Sequence, residues 1–149
     1  MEKLAVIKIR SDLGKNNKIK EALRILGLRK LYSCVVINKS PKNLGIIRNA
    51  ESVITYGEID DKTMKTLLIK RGKISNKKKI SASEQEISDF LVHFLNGEKK
   101  LAEIGVKNTF NLHPPRKGFE RKGKKAPFSL KGVFGYRGKD INDLIQRMI

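Results

Sequence analysis

Along the first 74 residues the hydrophobic positions switch between two periods. Leu4 to Ile9 is a short apolar run rich in branched residues, which predicts a strand. Ile19, Ala22, Leu23 and Leu26 then fall at i, i+3, i+4 and i+7, one stripe along a helix that starts near Asn16 or Asn17 and stops at Gly27. Lys18, Lys20 and Arg24 lie off that stripe. Tyr32 to Ile37 is apolar at nearly every position and predicts a central strand. After Ser40-Pro41, the positions Leu44, Ile47 and Ala50 predict a short helix weakened by Gly45, and Val53 to Tyr56 a third strand. Asp60 is placed to cap a further helix with Met64, Leu67 and Leu68 facing inward; Ile59 and Met64 have the spacing of a hydrophobic staple. Lys70 and Arg71 suit the negative end of that helix, and Gly72 ends it.

The pattern changes twice more. Lys77-Lys78-Lys79 reads as a solvated loop, and Ser83-Glu84-Gln85-Glu86 has the form of a capping box. Ile87, Phe90, Leu91, Phe94 and Leu95 follow at helical spacing, the strongest helix signal in the chain, closed by Asn96-Gly97. Leu101 and Ile104 suggest one more turn before Gly105. Pro114-Pro115 then forbids regular structure. From Arg116 to Lys139 there are nine basic residues, the single acid Glu120 and five glycines, so this stretch reads as an extended arm, short of apolar area and ordered mainly by a partner. Asp140 followed by Ile141, Leu144, Ile145 and Met148 predicts a final helix that docks on the core. The resulting division is a core over 1–74, a helical insertion over 75–111, a basic glycine-rich arm over 112–139 and a C-terminal helix over 140–149.

Charge sharpens this picture. The chain has 149 residues with 33 Lys plus Arg against 15 Asp plus Glu, a net charge of +18. Residues 1–74 carry +10, 75–111 carry +1 and 112–149 carry +7, so a near-neutral middle separates two basic ends. Such an excess repels itself unless an anion takes it up, and nucleic acid is the leading candidate. With 39% hydrophobic residues the chain is globular in composition, and a domain of this length needs no disulfide or metal staple. No apolar run approaches the ~20 residues of a membrane span. Met1 leads directly into Glu2 and a strand-like run, so no leader is expected. The lone Cys34 allows neither an intrachain disulfide nor a cysteine-based zinc site, which fits a reducing, cytoplasmic setting.

Catalytic chemistry finds little purchase. His93 sits near the inward stripe of the insertion helix and reads as structural; His113 reads as a hydrogen-bonding group of the basic segment. Cys34, mid-strand among Val35, Val36 and Ile37, reads as a buried inert thiol. Glu58, Asp60 and Asp61 are the one tight carboxylate group. They could hold Mg²⁺ in a nuclease, or simply mark a strand end and a helix start. No phosphate-binding glycine loop is present. The basic arm supports nucleic-acid binding better: its cations can neutralise phosphates and its glycines let backbone approach them. Phe119, Phe128, Phe134 and Tyr136 can either stack on bases or pin the arm to the core. With no zinc-finger or basic-zipper pattern, structured RNA is favoured over duplex DNA.

Motifs along the chain resemble large-subunit ribosomal protein thirty in its long archaeal form, whose eukaryotic counterpart is large-subunit protein seven. They are Ala5 to Arg10, Val35-Val36-Ile37, Gly45-Ile46-Ile47, Thr55 to Ile59, Leu67 to Gly72, His113 to Gly118 and Gly135 to Ile145. The resemblance runs over essentially the whole length. Tyr56 stands where the family usually has Trp, and Ile46 where Met is common. The long basic N-terminal extension of eukaryotic members is absent, which points to the archaeal type. The resemblance implies an α+β fold: a truncated ferredoxin-like βαβαβ core with a three-stranded antiparallel sheet, helices on one face, and the helical insertion and basic arm added. It implies a structural constituent of the large ribosomal subunit, with no enzymatic activity and no cofactor or metal. Its partners would be large-subunit ribosomal RNA and neighbouring ribosomal proteins, with no membrane and no obligate homo-oligomer. Expected RNA contacts are Arg116, Lys117, Arg121, Lys122, Lys124, Lys125, Arg137 and Lys139, with His113 orienting the arm. Arg10, Lys18, Lys20, Arg48, Lys70 and Arg71 are secondary candidates. A free-standing RNA binder or chaperone shares every electrostatic feature and stays open, as does the nuclease.

Overall fold

The computed structural model describes residues 2–74, 84–96, 101 and 105–149. Its elements follow the chain as β1 (Lys3–Lys8), α1 (Asn17–Leu26), β2 (Ser33–Asn38), α2 (Pro41–Ala50), β3 (Ile54–Glu58), α3 (Asp61–Arg71), α4 (Glu84–Asn96), β4 (Thr109–Asn111), β5 (Gly135–Tyr136) and α5 (Ile141–Met148). The capping-box residue Ser83, the Lys77-Lys78-Lys79 loop, the Leu95 side chain, Gly97 and Ile104 lie outside the described residues.

The expected three-stranded sheet is instead a five-stranded one, in the order β4-β2-β1-β3-β5. β1 is the middle strand: it pairs antiparallel with β2 (Val6 opposite Val35) and with β3 (Val6 opposite Tyr56), and β2 is internal as expected, between β1 and β4. Every residue of β1 is buried. Helices cover both faces rather than one, which explains why β1 reads as a continuous apolar run. Leu4 and Val6 pack with Ala22, Leu23 and Leu26 of α1 and Ile47 and Ala50 of α2. Ala5 and Ile7 point the other way, into a cluster with Met64, Leu67 and Leu68 of α3, Ile87, Phe90, Leu91 and Phe94 of α4, and Ile141, Leu144, Ile145 and Met148 of α5. β4 extends the sheet beside β2, with fully buried Phe110 opposite Cys34. Burial among these groups pushes the Cys34 thiol up to about 12, so it is the inert core group expected.

Both ends of β1 carry lysines whose burial is compensated. Lys8 donates to the Asp12 carboxylate at 2.6 Å and to the Arg29 carbonyl at 3.2 Å. Lys3 donates to Asn38 and lies 4.3 Å from the Phe94 ring centroid, and burial lowers its pKa.

Helix ends follow the sequence in part. Asn16 and Ser40 accept capping bonds from the N–H groups of Lys18 and Asn43, and Gly27 closes α1 in the left-handed region at φ 74°. Gly72 ends α3 in extended geometry. Asp60 and Asp140 occupy N-cap positions without capping bonds from their side chains. The Asp60 N–H instead donates to Asn142 Oδ1 at 2.9 Å, while Asn142 Nδ2 donates to the carbonyls of Glu58 and Lys139. This α5 side chain thereby joins the end of β3 to the start of α3. His93, beside the inward stripe of Phe90, Leu91 and Phe94, is exposed on α4.

The largest departure concerns residues 112–139. They form no extended arm but fold against the sheet edge through short 3-10 turns at Gly123–Lys125, Phe128–Leu130 and Gly138–Asp140 and through β5, which runs parallel to β3. Two close approaches make this possible. A Cβ on Gly57 would stand 2.0 Å from the Gly138 carbonyl oxygen, and one on Gly132 would stand 1.9 Å from that of Ala126. Gly57→Ala is therefore expected to cost roughly 1–3 kcal/mol through overpacking. Gly45→Ala, with open space around the added methyl in α2, is expected to add about 0.5–1 kcal/mol of stability. Urea unfolding of the two variants checks both signs.

Candidate nucleic-acid interface

The basic segment leaves β4 tied to the other elements. The N–H groups of Leu112, His113 and Arg116 donate to the carbonyls of Tyr32, Met148 and Arg147, and Pro115 is buried. Further on, the stretch around Phe128 closes on itself: Phe128 N–H donates to the Phe134 carbonyl, Gly132 to Pro127 and Val133 to Ala126. Arg137 N–H then donates to the Tyr56 carbonyl at 2.8 Å, next to the β3–β5 pairing.

Arg137 itself is not the phosphate contact its charge suggested. It is only 4% exposed. Its guanidinium is paired with both carboxylate oxygens of Glu120, donates to the Val133 carbonyl at 3.0 Å and to Thr55 Oγ1 at 3.4 Å, and lies 4.3 Å from the Phe128 ring centroid. Thr55 donates onward to the Gly135 carbonyl at 3.0 Å. A bidentate carboxylate and two further acceptors satisfy most of the donors of a planar guanidinium, which is what allows it to be buried. Glu120 also receives Arg147 at 3.3 Å. Burial pushes its pKa upward, but the hydrogen bonds from Arg137 and the two guanidinium charges outweigh that and hold it below the ordinary glutamate value.

Lys124 is also turned inward. Its ammonium donates to the Tyr32 hydroxyl at 2.8 Å and lies 4.9 and 5.2 Å from the ring centroids of Tyr32 and Phe119. The aromatic residues of the segment are thus mostly pins. Phe119 pairs with Tyr32 at 6.2 Å, Phe128 lies against Arg137, and Phe134 meets the Arg10 guanidinium at 5.7 Å. Tyr136 is 52% exposed but fixed: its ring meets Tyr56 at 5.4 Å and its hydroxyl donates to the Glu58 carboxylate. That bond raises the Tyr136 pKa.

The remaining seven cations of the segment point outward. Arg116, Lys117, Arg121, Lys122, Lys125, Lys131 and Lys139 are exposed, and their side chains have no hydrogen bond or ion pair among the described residues. The segment's one carboxylate before Asp140 is consumed inside, so this outer face carries uncompensated positive charge. Arg121, Lys122 and Lys131 come together with Ser129 and Leu130 around an open groove of about 660 Å³. Lys131 was absent from the expected contacts although it belongs to the same charge run; only the folding of 121–122 onto 129–131 distinguishes it.

The secondary candidates are scattered. Arg48 shares a second groove with Pro127 and Phe134, and Arg10, which donates to the Ser52 carbonyl, lies on the same Phe134 ring. Lys18, Lys20 and Lys70 are exposed on α1 and α3. Arg71 is half-buried and donates to the main-chain oxygen of Ile149. His113 is exposed, held by its main-chain bond to Met148. The carboxylates considered for a nuclease do not converge. Glu58 is occupied by Tyr136 and by Lys39 at 3.2 Å, and no group of three possible metal ligands occurs among the described residues.

Fold and surface together define a strongly basic α+β protein. Residues 4–54 match the family model described as ribosomal protein L30p/L7e. Over nearly full length the chain is 36% identical to the large ribosomal subunit protein uL30 of Methanococcus vannielii, covering 97% of this chain and 98% of that protein. It is equally 36% identical to the uL30 proteins of Methanopyrus kandleri (95% and 100% covered) and Nanoarchaeum equitans (97% of each). The chain belongs to the uL30 family of ribosomal proteins, the L30p/L7e family.

The buried pair yields a stability test. Glu120→Ala strands Arg137 in the interior and is expected to cost about 3 kcal/mol at neutral pH, whereas Lys122→Ala should stay within about 0.5 kcal/mol. Because the folded-state pKa of Glu120 is depressed, its contribution is complete above the ordinary value of 4.5 and is lost as pH falls through the folded value. Urea unfolding midpoints followed from pH 7 into the acid range should fall less steeply in Glu120→Ala than in the parent chain.

Proposed function

We propose that the chain is a structural constituent of the large ribosomal subunit that binds and steadies folded large-subunit ribosomal RNA with the outer face of residues 116–139. The observation that carries the proposal is the division of labour within the basic segment. Arg137 and Lys124 are spent on folding it, Glu120 is consumed with them, and seven cations remain outward without partners. A rigid array of this kind suits the phosphate backbone of a folded RNA, recognised by shape and charge. Family membership supports the ribosomal setting, and with it a cytoplasmic location and neighbouring ribosomal proteins as further partners. Among the described residues no helix is long and apolar enough to cross a membrane. The reading requires no catalytic step, metal or cofactor, and no second copy of the chain.

Two measurements test this reading. In native extract separated on a gradient, crosslinks should be confined to large-subunit ribosomal RNA and carried by residues 116–139. Crosslinks spread over many RNAs in light fractions would favour a free-standing binder instead. In binding titrations against large-subunit ribosomal RNA, affinity should fall by about 10³-fold or more between roughly 50 and 200 mM salt if most of the seven cations touch phosphate. Replacing Arg121, Lys122 and Lys131 together by alanine should weaken binding and flatten the logarithmic salt slope by about 2–3, with an unchanged unfolding midpoint.

A further inference from the structure

The groove beside the 3-10 turn Phe128–Leu130 holds a side chain that charge neutralisation does not explain. Leu130 is 58% exposed in the middle of a cationic surface. Around it stand Arg121 and Lys122 on one limb, and Ser129 and Lys131 on the other. The two limbs are joined by the Lys122 N–H donating to the Lys131 carbonyl at 3.3 Å. None of the three cations has a side-chain partner among the described residues.

The backbone fixes where Lys131 stands. Lys131 adopts φ 63°, in the left-handed region that glycine enters more easily than a residue with a side chain. The neighbouring glycine does not release it from that role: Gly132 is required where it stands by its approach to Ala126. That conformation closes the 3-10 turn, with the Lys131 N–H donating to the Phe128 carbonyl at 2.9 Å, and it leaves an exposed, unpaired lysine next to Leu130 on the groove.

A uniform phosphate ladder would be served by cations alone. Three cations, a hydroxyl and an exposed apolar side chain sharing one concavity match instead the parts of a single unpaired nucleotide, whose phosphate is anionic and whose base offers a flat apolar face. We infer that this groove receives one nucleotide bulged out of an RNA helix. Its phosphate lies among Arg121, Lys122 and Lys131, and its base rests on Leu130. The inference rests on the RNA-binding reading above and names the feature of RNA that the site selects.

The test compares two synthetic RNA hairpins, one with a fully paired stem and one carrying a single-nucleotide bulge, by fluorescence anisotropy. The intact chain should bind the bulged hairpin about tenfold more tightly. Leu130→Ala should erase most of that preference while leaving the salt slope and the unfolding midpoint unchanged. Lys131→Asn, which suits the left-handed backbone, should keep or raise the unfolding midpoint yet weaken binding to the bulged hairpin. Equal binding of both hairpins by the intact chain, with a steep salt dependence, would overturn the nucleotide site and leave the RNA-binding reading standing. A Leu130→Ala variant with unaltered RNA preference but poorer retention on purified large subunits would overturn it in favour of a protein neighbour. Salt-independent or absent binding to both hairpins and to large-subunit ribosomal RNA would overturn both readings.

Discussion

A guanidinium buried at the edge of a sheet needs acceptors on nearly every side, and Arg137 draws them from three separate stretches of chain. Glu120 comes from the start of the basic segment, Val133 from just before β5, and Thr55 from β3. A charge this deep costs several kcal/mol when unpaired, so the three stretches are held to one arrangement or none. That arrangement brings β5 alongside β3, sets Gly138 against Gly57, and delivers α5 with Asn142 in reach of Glu58 and Asp60. The pairing thus fixes the path of the basic segment, while Val133 and the buried face of α5 (Ile141, Leu144, Ile145 and Met148) supply the apolar area that anchors the far end of the fold.

The same pairing shapes the surface. With Glu120 drawn inward, no carboxylate between Arg116 and Lys139 is left to balance the outer cations. Internal neutralisation and external charge are two consequences of one contact. Binding an RNA with a preorganised array avoids much of the ordering cost that an unfolded basic tail would bear.

Much of the fold was legible because its signals are local. The stripes Ile19-Ala22-Leu23-Leu26 and Ile141-Leu144-Ile145-Met148, the cap at Asn16, and the apolar run at β1 each depend on neighbours within a few residues. All correspond to elements at or near the expected positions. The candidate interface was legible as a charge run but not as a set of residues. Arg137 and Lys131 look alike in the sequence, being cations amid glycines and apolar residues, yet one is buried and the other exposed. His93, read as lying near the inward stripe of α4, is exposed, because on a helix one position separates the packed face from the open one.

The sequence by itself determined the order and kind of the first three strands and the five helices, the excess of positive charge at both ends, the inert buried thiol and membership of the uL30 family. Each of these is carried by residue type and short-range spacing. Only the tertiary structure decided that the sheet has five strands with helices on both faces, that residues 112–139 fold against β3, and which cations face outward. Those outcomes depend on pairings between residues far apart in the chain, such as Thr55 with Gly135 and Glu120 with Arg137. Composition and periodicity carry no record of such partners, because a buried salt bridge is selected by geometry at both ends at once.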